Sequence, residues 1–223
     1  MAIGEAYVEA ARIEDVTAQV EWLEVVGDAD VWRSLGLVVG ADGLIPLMGT
    51  CIRVLDASDQ SAAGLVGWSL SGTRDELHGT SIDGLATSVV EPTGPVFGQH
   101  EVGASGLDHV VVMTNDLDRT TGAITEATGN VLKRVREVGT MRQGFHRMGR
   151  GGLIVEVVER PEIEDGPASF WGLVINVDDL DAACDRIGDG RISAPKDAVQ
   201  PGRRIATVAK DVGLGLPVAL MTT

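Results

Sequence analysis

The chain has 223 residues, 44% of them hydrophobic and 4% aromatic, which is long enough for one large or two small domains, each with its own core. A formal charge of −15, from 33 acidic against 18 basic residues, opposes general binding to nucleic acid or anionic membranes, whose phosphates are held by dense Lys and Arg. No apolar run approaches the roughly eighteen residues that a membrane span needs.

In chain order, MAIGEAYVEA shows neither a basic segment nor an apolar one behind it, so the expectation is a cytoplasmic protein. AYVEAARI reads as a strand. Glu14-Asp15 then opens a helix whose apolar face is Val16, Val20 and Leu23, and Gly27 ends it. VWRSLGLVV and LIPLMGTCIRVLD follow as strand-like runs, the second containing Cys51, expected as a reduced, packed thiol. LVGWSLSGTRDEL supplies a strand and a helix start at Asp75-Glu76-Leu77, the faintest unit of its kind. Residues 86–105, ATSVVEPTGPVFGQHEVGAS, carry Pro, Gly and Ser punctuation and read as a connection, with the linker proper at 99–105.

LDHVVVMTNDLDRTTGAI begins at residue 107. It combines an apolar strand, a helix cap at Asn115 or Asp116, a face of Leu117, Thr121 and Ile124, and a stop at Gly129. VLKRVREV, TMRQGFHRM and GGLIVEVVE are its strands. WGLVINVDDLDAACDRI repeats the phrase at an offset of 63, with a cap at Asp178 or Asp179, then Leu180, Cys184 and Ile187 before Gly188. The chain therefore reads as four units of one helix and several strands. Such a unit covers one sheet face with its helix and leaves the other bare, so units must pair to bury apolar surface. The prediction is an α+β protein with halves at 1–98 and 106–223.

The phrases LDHVVVMTNDLD, GGLIVEVVE, FWGLVINVDDLDAA and PGRRIATVAKDVGLGLPVALM resemble the vicinal oxygen chelate superfamily of glyoxalases, epimerases, extradiol dioxygenases and bleomycin-resistance proteins. The resemblance covers about 106–223, and the N-terminal half is a degenerate match. It implies four βαβββ-type modules paired into two glyoxalase-like half-barrels, with a ligand inside the cup. It also implies metal ligands on the first and last strands of paired modules. Those slots fall on His109 and Glu156 in the third unit, Gly172 and Ala219 in the fourth, about Val8 and Arg53 in the first, and Ser69 in the second. Two donors seldom hold a metal. The expectation is accordingly no cofactor, with a divalent ion (Zn, Ni, Fe or Mn) on His109 and Glu156 as the alternative.

Glu156 is flanked by apolar residues in LIVEVV, and burying a carboxylate without a partner is costly or raises its pKa. His109, His146, Arg142 or a metal are its candidate partners. His109 and Glu156 are the candidate catalytic pair, and Arg142, His146, Arg203 and Arg204 the candidate ligand-binding groups, since Arg forks onto carboxylate or phosphate. Two readings remain beside a structural ion pair. One is a lyase or isomerase of the glyoxalase-like kind, with a buried carboxylate as general base on an oxygenated and, given these arginines, anionic metabolite. The other is a non-catalytic binder of a small molecule or drug. A ring-cleaving dioxygenase ranks third, because Gly172 replaces a histidine it would need. The expected partner is a small molecule, with no nucleic acid or membrane, and a homodimer is left open. No CxxC, HExxH, GxSxG or Walker A pattern occurs.

Overall fold

The computed structural model describes residues 17–56, 63–94, 96–148 and 152–223. They form two sheets. The first half runs β1 (Gln19–Val26), α1 (Ala29–Ser34), β2 (Leu44–Ile45), β3 (Cys51–Leu55), β4 (Gly64–Ser71), β5 (Thr80–Ile82) and β6 (Leu85–Val89). The second runs β7 (Ala104–Thr114), α2 (Leu117–Thr128), β8 (Leu132–Val138), β9 (Met141–Arg147), β10 (Ile154–Glu159), β11 (Ser169–Val177), α3 (Leu180–Ile187), β12 (Lys196–Asp197), β13 (Arg204–Thr207) and β14 (Val218–Thr222).

Sheet order exposes the modules. The eight-stranded sheet is β12-β13-β14-β11-β7-β10-β9-β8, two βαβββ units joined antiparallel through their first strands, β7 and β11. Each unit closes with its last strand parallel to its first, β10 beside β7 and β14 beside β11. The six-stranded sheet, β2-β3-β1-β4-β6-β5, repeats the scheme with βαββ units joined through β1 and β4. In the second of them, the helix that Asp75-Glu76-Leu77 predicts is a single 3₁₀ turn. β6 (Leu85–Val89) takes up residues 86–89 of the stretch read as a connection, and β7 begins at Ala104, before its end.

Both repeated helices form as their sequences dictate. Asp116 and Asp179 cap α2 and α3 by accepting from the backbone N–H three residues on, at 2.9 and 3.0 Å. Leu117, Thr121 and Ile124 are buried on α2, and Leu180 and Ile187 on α3, where Ala183 rather than the expected Cys184 completes the buried face and Cys184 is half-buried. Gly129 ends α2 at a φ of 71°, a conformation that a side chain disfavours.

The first module departs from its sequence reading. AYVEAARI lies outside the described residues, but Val20 and Leu23, read as a helix face, are in β1. Asp28 caps the actual helix, α1, which overlaps the start of the stretch read as the strand VWRSLGLVV. β1 sends Val20, Leu23 and Val25 into the core while Trp22 and Glu24 on its other face are only half-buried, and the bulge at Glu21 inserts one extra residue, so the spacing from Val20 to Leu23 imitates a helix face.

One apolar core runs through both halves, from Val20 and Trp68 to Ile124, Val155 and Ile187. Trp68 of β4 meets Phe170 of β11 edge to face, with ring centroids 5.4 Å apart, and donates its indole N–H to Thr87 Oγ1 at 2.8 Å. Arg119 on α2 pairs with Asp83 of the first half at 3.0 Å.

Candidate functional site in the eight-stranded cup

β7, β9, β10, β11, β13 and β14 line a cavity of about 380 Å³ on the face of the sheet away from α2 and α3. Its walls are largely apolar, and His109, Gln143 and Glu156 are the polar groups beside one another in it. Strand parity chooses them. Glu156 and Val158 face the cavity from β10, while Val155 and Val157, which alternate with them, are fully buried in the core.

A β-bulge builds the centre of the site. Along β7 and β11, Val174 pairs with His109 and Ile175 with Leu107, which leaves Asp108 as an extra residue. The bulge turns consecutive side chains toward one another, so that Asp108 Oδ2 lies 2.8 Å from His109 Nδ1. Trp171 is the matching extra residue on β11. Each bulge stands eight positions before its module's helix cap, 108 before 116 and 171 before 179, so Asp108-His109 and Trp171-Gly172 are equivalent pairs.

From Asp108 the polar groups form a line. Arg203 donates to Asp108 Oδ1, to Asn176 Oδ1 and to the Thr222 carbonyl, each at 2.6 Å. Burial pushes the Asp108 carboxyl up, but hydrogen bonds and charge from His109 and Arg203 outweigh it and hold the group below its ordinary value. An ionised carboxylate only accepts, so Nδ1 of His109 carries the hydrogen and Nε2 faces Glu156. Nε2 lies 3.5 Å from Glu156 Oε2, an ion-pair distance rather than a firm hydrogen bond. Gln143 Nε2 donates to Glu156 Oε1 at 2.6 Å, and the buried Gln143 Oε1 finds no partner among the described residues. Burial pushes Glu156 above the usual carboxylate range, and His109, Gln143 and Arg136 offset this only in part.

The remaining sequence candidates lie elsewhere. His146 is fully buried on the helix side of β9, where its Nδ1 meets the Asn130 carbonyl at 2.9 Å. Arg142 also faces the helix layer and pairs with Asp118 and Glu159 at 3.0 and 3.2 Å. Both follow from parity: β9 shows Met141 and Gln143 to the cavity, and a one-residue step reverses the face. Arg204 is tied to Asp181 on α3 at 2.6 Å. Arg203 reaches the site only through Asp108. Gln143 and Arg160 line the cavity although neither is a sequence candidate; alternation along β9 and β10 is the signal that points to them.

A resident metal does not fit these residues. A Cβ at Gly172, the equivalent of His109, would lie 2.6 Å from the Pro217 carbonyl oxygen, so backbone fills the space a donor side chain needs. Ala219 holds the other equivalent slot and has no donor. Among the described residues no group of three or more His, Cys, Asp and Glu is arranged to hold an ion. In the six-stranded sheet, Trp22 follows the bulged Glu21 as His109 follows Asp108. Arg53 stacks on the Trp22 ring at 4.9 Å.

Residues 106–211 match the Glyoxalase/Bleomycin resistance protein/Dioxygenase superfamily. Among solved structures, a variant of 4-hydroxymandelate synthase from Streptomyces coelicolor is similar over 92% of this chain and 92% of its own, at 13% identity and a TM-score of 0.62. Methylmalonyl-CoA epimerase from Mycobacterium tuberculosis covers 54% of this chain with 89% of its own, at 18% identity and a TM-score of 0.46. No curated protein sequence matches the chain. No helix among the described residues is long and apolar enough to cross a membrane.

Proposed function

The C-terminal half of this chain belongs to the Glyoxalase/Bleomycin resistance protein/Dioxygenase superfamily, and from that premise we propose that its cup is a proton-transfer site for an oxygenated small molecule. The observation that carries this reading is the line from Asp108 through His109 to Glu156 at the cavity wall. Glu156 is the base. A carboxylate whose proton affinity is raised by burial is better matched to removing a proton beside a carbonyl than an exposed one. As the proton moves to Glu156, the C–H electron pair passes toward the carbonyl and charge develops on its oxygen. His109, fixed in one tautomer by Asp108, is the neighbouring group able to share that proton through Nε2. Reprotonation on the opposite face of that carbon, or at the neighbouring carbon, makes the net change an isomerisation, and exchange of the Glu156 proton with solvent before its return puts a solvent label on carbon. No step passes through a metal.

The second reading is a binder that holds its ligand unchanged. It is favoured by the substitution of Gly172 and Ala219 for donors in the paired module and by the apolar walls. Proton exchange separates the two. Chelator-treated protein in D₂O is incubated with a panel of 2-substituted carbonyl compounds and the C–H signal is followed by NMR. Washout by the native protein and its loss in Glu156→Gln supports the base; a ligand that binds without exchange supports the binder.

A further inference from the structure

Resting on the cup being a small-molecule site, we infer that its ligand carries a fixed negative charge, a carboxylate or phosphate, received by Arg136 and Arg160. Register places both on the concave face. Gln143 lines the cavity and stands opposite Arg136 in the β8-β9 ladder, and paired residues share a face. Arg134 is opposite Phe145, one step further along that face. Arg160, one residue past the end of β10, follows Glu156 and Val158 by twos and lines the same cavity.

Their partners are what distinguish them. Arg119, Arg142, Arg186, Arg203 and Arg204 each pair with a carboxylate. Among the described residues, no ion pair involves Arg134, Arg136 or Arg160. Glu137, the acid of β8, stands opposite Arg142, on the other face. In a chain of net charge −15, acids to neutralise these positions are abundant, yet Glu156, already held by Gln143, is the one carboxylate among the described residues lining the cavity. Like charges along one face repel, and a concave low-dielectric surface focuses their field into the hollow. An anion entering the cup relieves the repulsion and can take the forked hydrogen bonds of a guanidinium. Arg136 already acts at longer range on Glu156. The ligand's remaining body is apolar, to match Met113, Val158 and Leu173, and Trp171, 50% exposed, offers it a flat surface at the cavity.

Trp171 is also the reporter, since Trp32 and Trp68 are fully buried and a Trp171→Phe variant subtracts them together with the half-buried Trp22 of β1. Quenching by iodide and by caesium is compared at equal ionic strength. Iodide is expected to be the stronger quencher of Trp171 despite the protein's negative charge, and the preference is expected to vanish in Arg136→Gln/Arg160→Gln. Phenylacetate, phenyl phosphate and phenylacetamide are then titrated at low salt. The two anions are expected to bind about tenfold tighter than the amide, an advantage lost in the double variant; whichever anion is tighter distinguishes carboxylate from phosphate. Caesium quenching as strongly as iodide, an amide binding as tightly as the anions, no binding by any of the three, or a preference that survives in the double variant overturns the inference. None of these readouts involves turnover, so failure of the proton-transfer reading leaves them unaffected.

Discussion

Asp108 and His109 are consecutive residues of one strand, yet their side chains meet, with Oδ2 2.8 Å from Nδ1. Regular pleating would send them to opposite faces of the sheet. The bulge at Asp108 allows the contact, and Arg203, anchored on Asn176 and the last strand, holds the carboxylate in place.

Asp108→Asn should therefore cost stability and do so selectively with pH. It leaves Arg203, 18% exposed, without its charge partner, a loss of about 3 kcal/mol for a largely buried pair. The folded-state pKa of Asp108 is lowered, so in that window the unfolded chain binds more protons. Native stability then falls as pH drops through the folded value, and the gap between native protein and variant should close. Thermal melts from neutral pH into the acid range test this; a constant gap would contradict it.

Glu156→Gln should behave in the opposite sense. Burial raises the folded pKa of Glu156, so the folded state holds the proton more tightly. The stabilisation is complete below the unfolded pKa and is lost as pH rises through the folded one. The variant, which does not ionise, should gain in melting temperature relative to the native protein from acid to alkaline pH. An unchanged difference would mean that Glu156 does not titrate as its burial demands.

Gly172→Ala places a methyl 2.6 Å from the Pro217 carbonyl oxygen, the same atom that accepts the Leu173 N–H at 3.1 Å where the chain enters β14. The backbones must separate, at a cost of about 2 kcal/mol. Urea denaturation should show a lower midpoint with an unchanged slope. A neutral result would show that sterics do not account for the missing donor.

We propose the sequence boundaries, 1–98 and 106–223 with a linker at 99–105, as repeat boundaries that do not separate independently stable units. Trp68 lies in the first half but packs on Phe170 of the second within one continuous core. Trp68→Ala should cost about 3–5 kcal/mol and lower a single transition seen equally by far-UV circular dichroism and by Trp171 fluorescence. Two separated transitions would show halves that fold alone.

The repeated modules were legible because a cap, an apolar face and a glycine stop recur in order, as in Asp116, Leu117 and Gly129, then Asp179, Leu180 and Gly188. Such local signals need no knowledge of neighbours. Glu156 stood out as a carboxylate inside an apolar strand, and His109 was reached only through the slot that the family resemblance implies. The first module misled because the bulge at Glu21 breaks the alternation of β1, and the resulting spacing from Val20 to Leu23 fits a helix as well as a strand.

The sequence by itself determined that this chain is a string of helix-capped strand units obliged to pair, because amphipathic periodicity and capping act within a few residues. Only the tertiary structure decided which polar groups share a hollow. It turned Arg142 and His146 to the helix layer, brought Gln143 to Glu156, and turned Asp108 onto its own neighbour. Face and register are set by pairing across strands distant in sequence, and one extra residue in a ladder reverses what every local pattern implies.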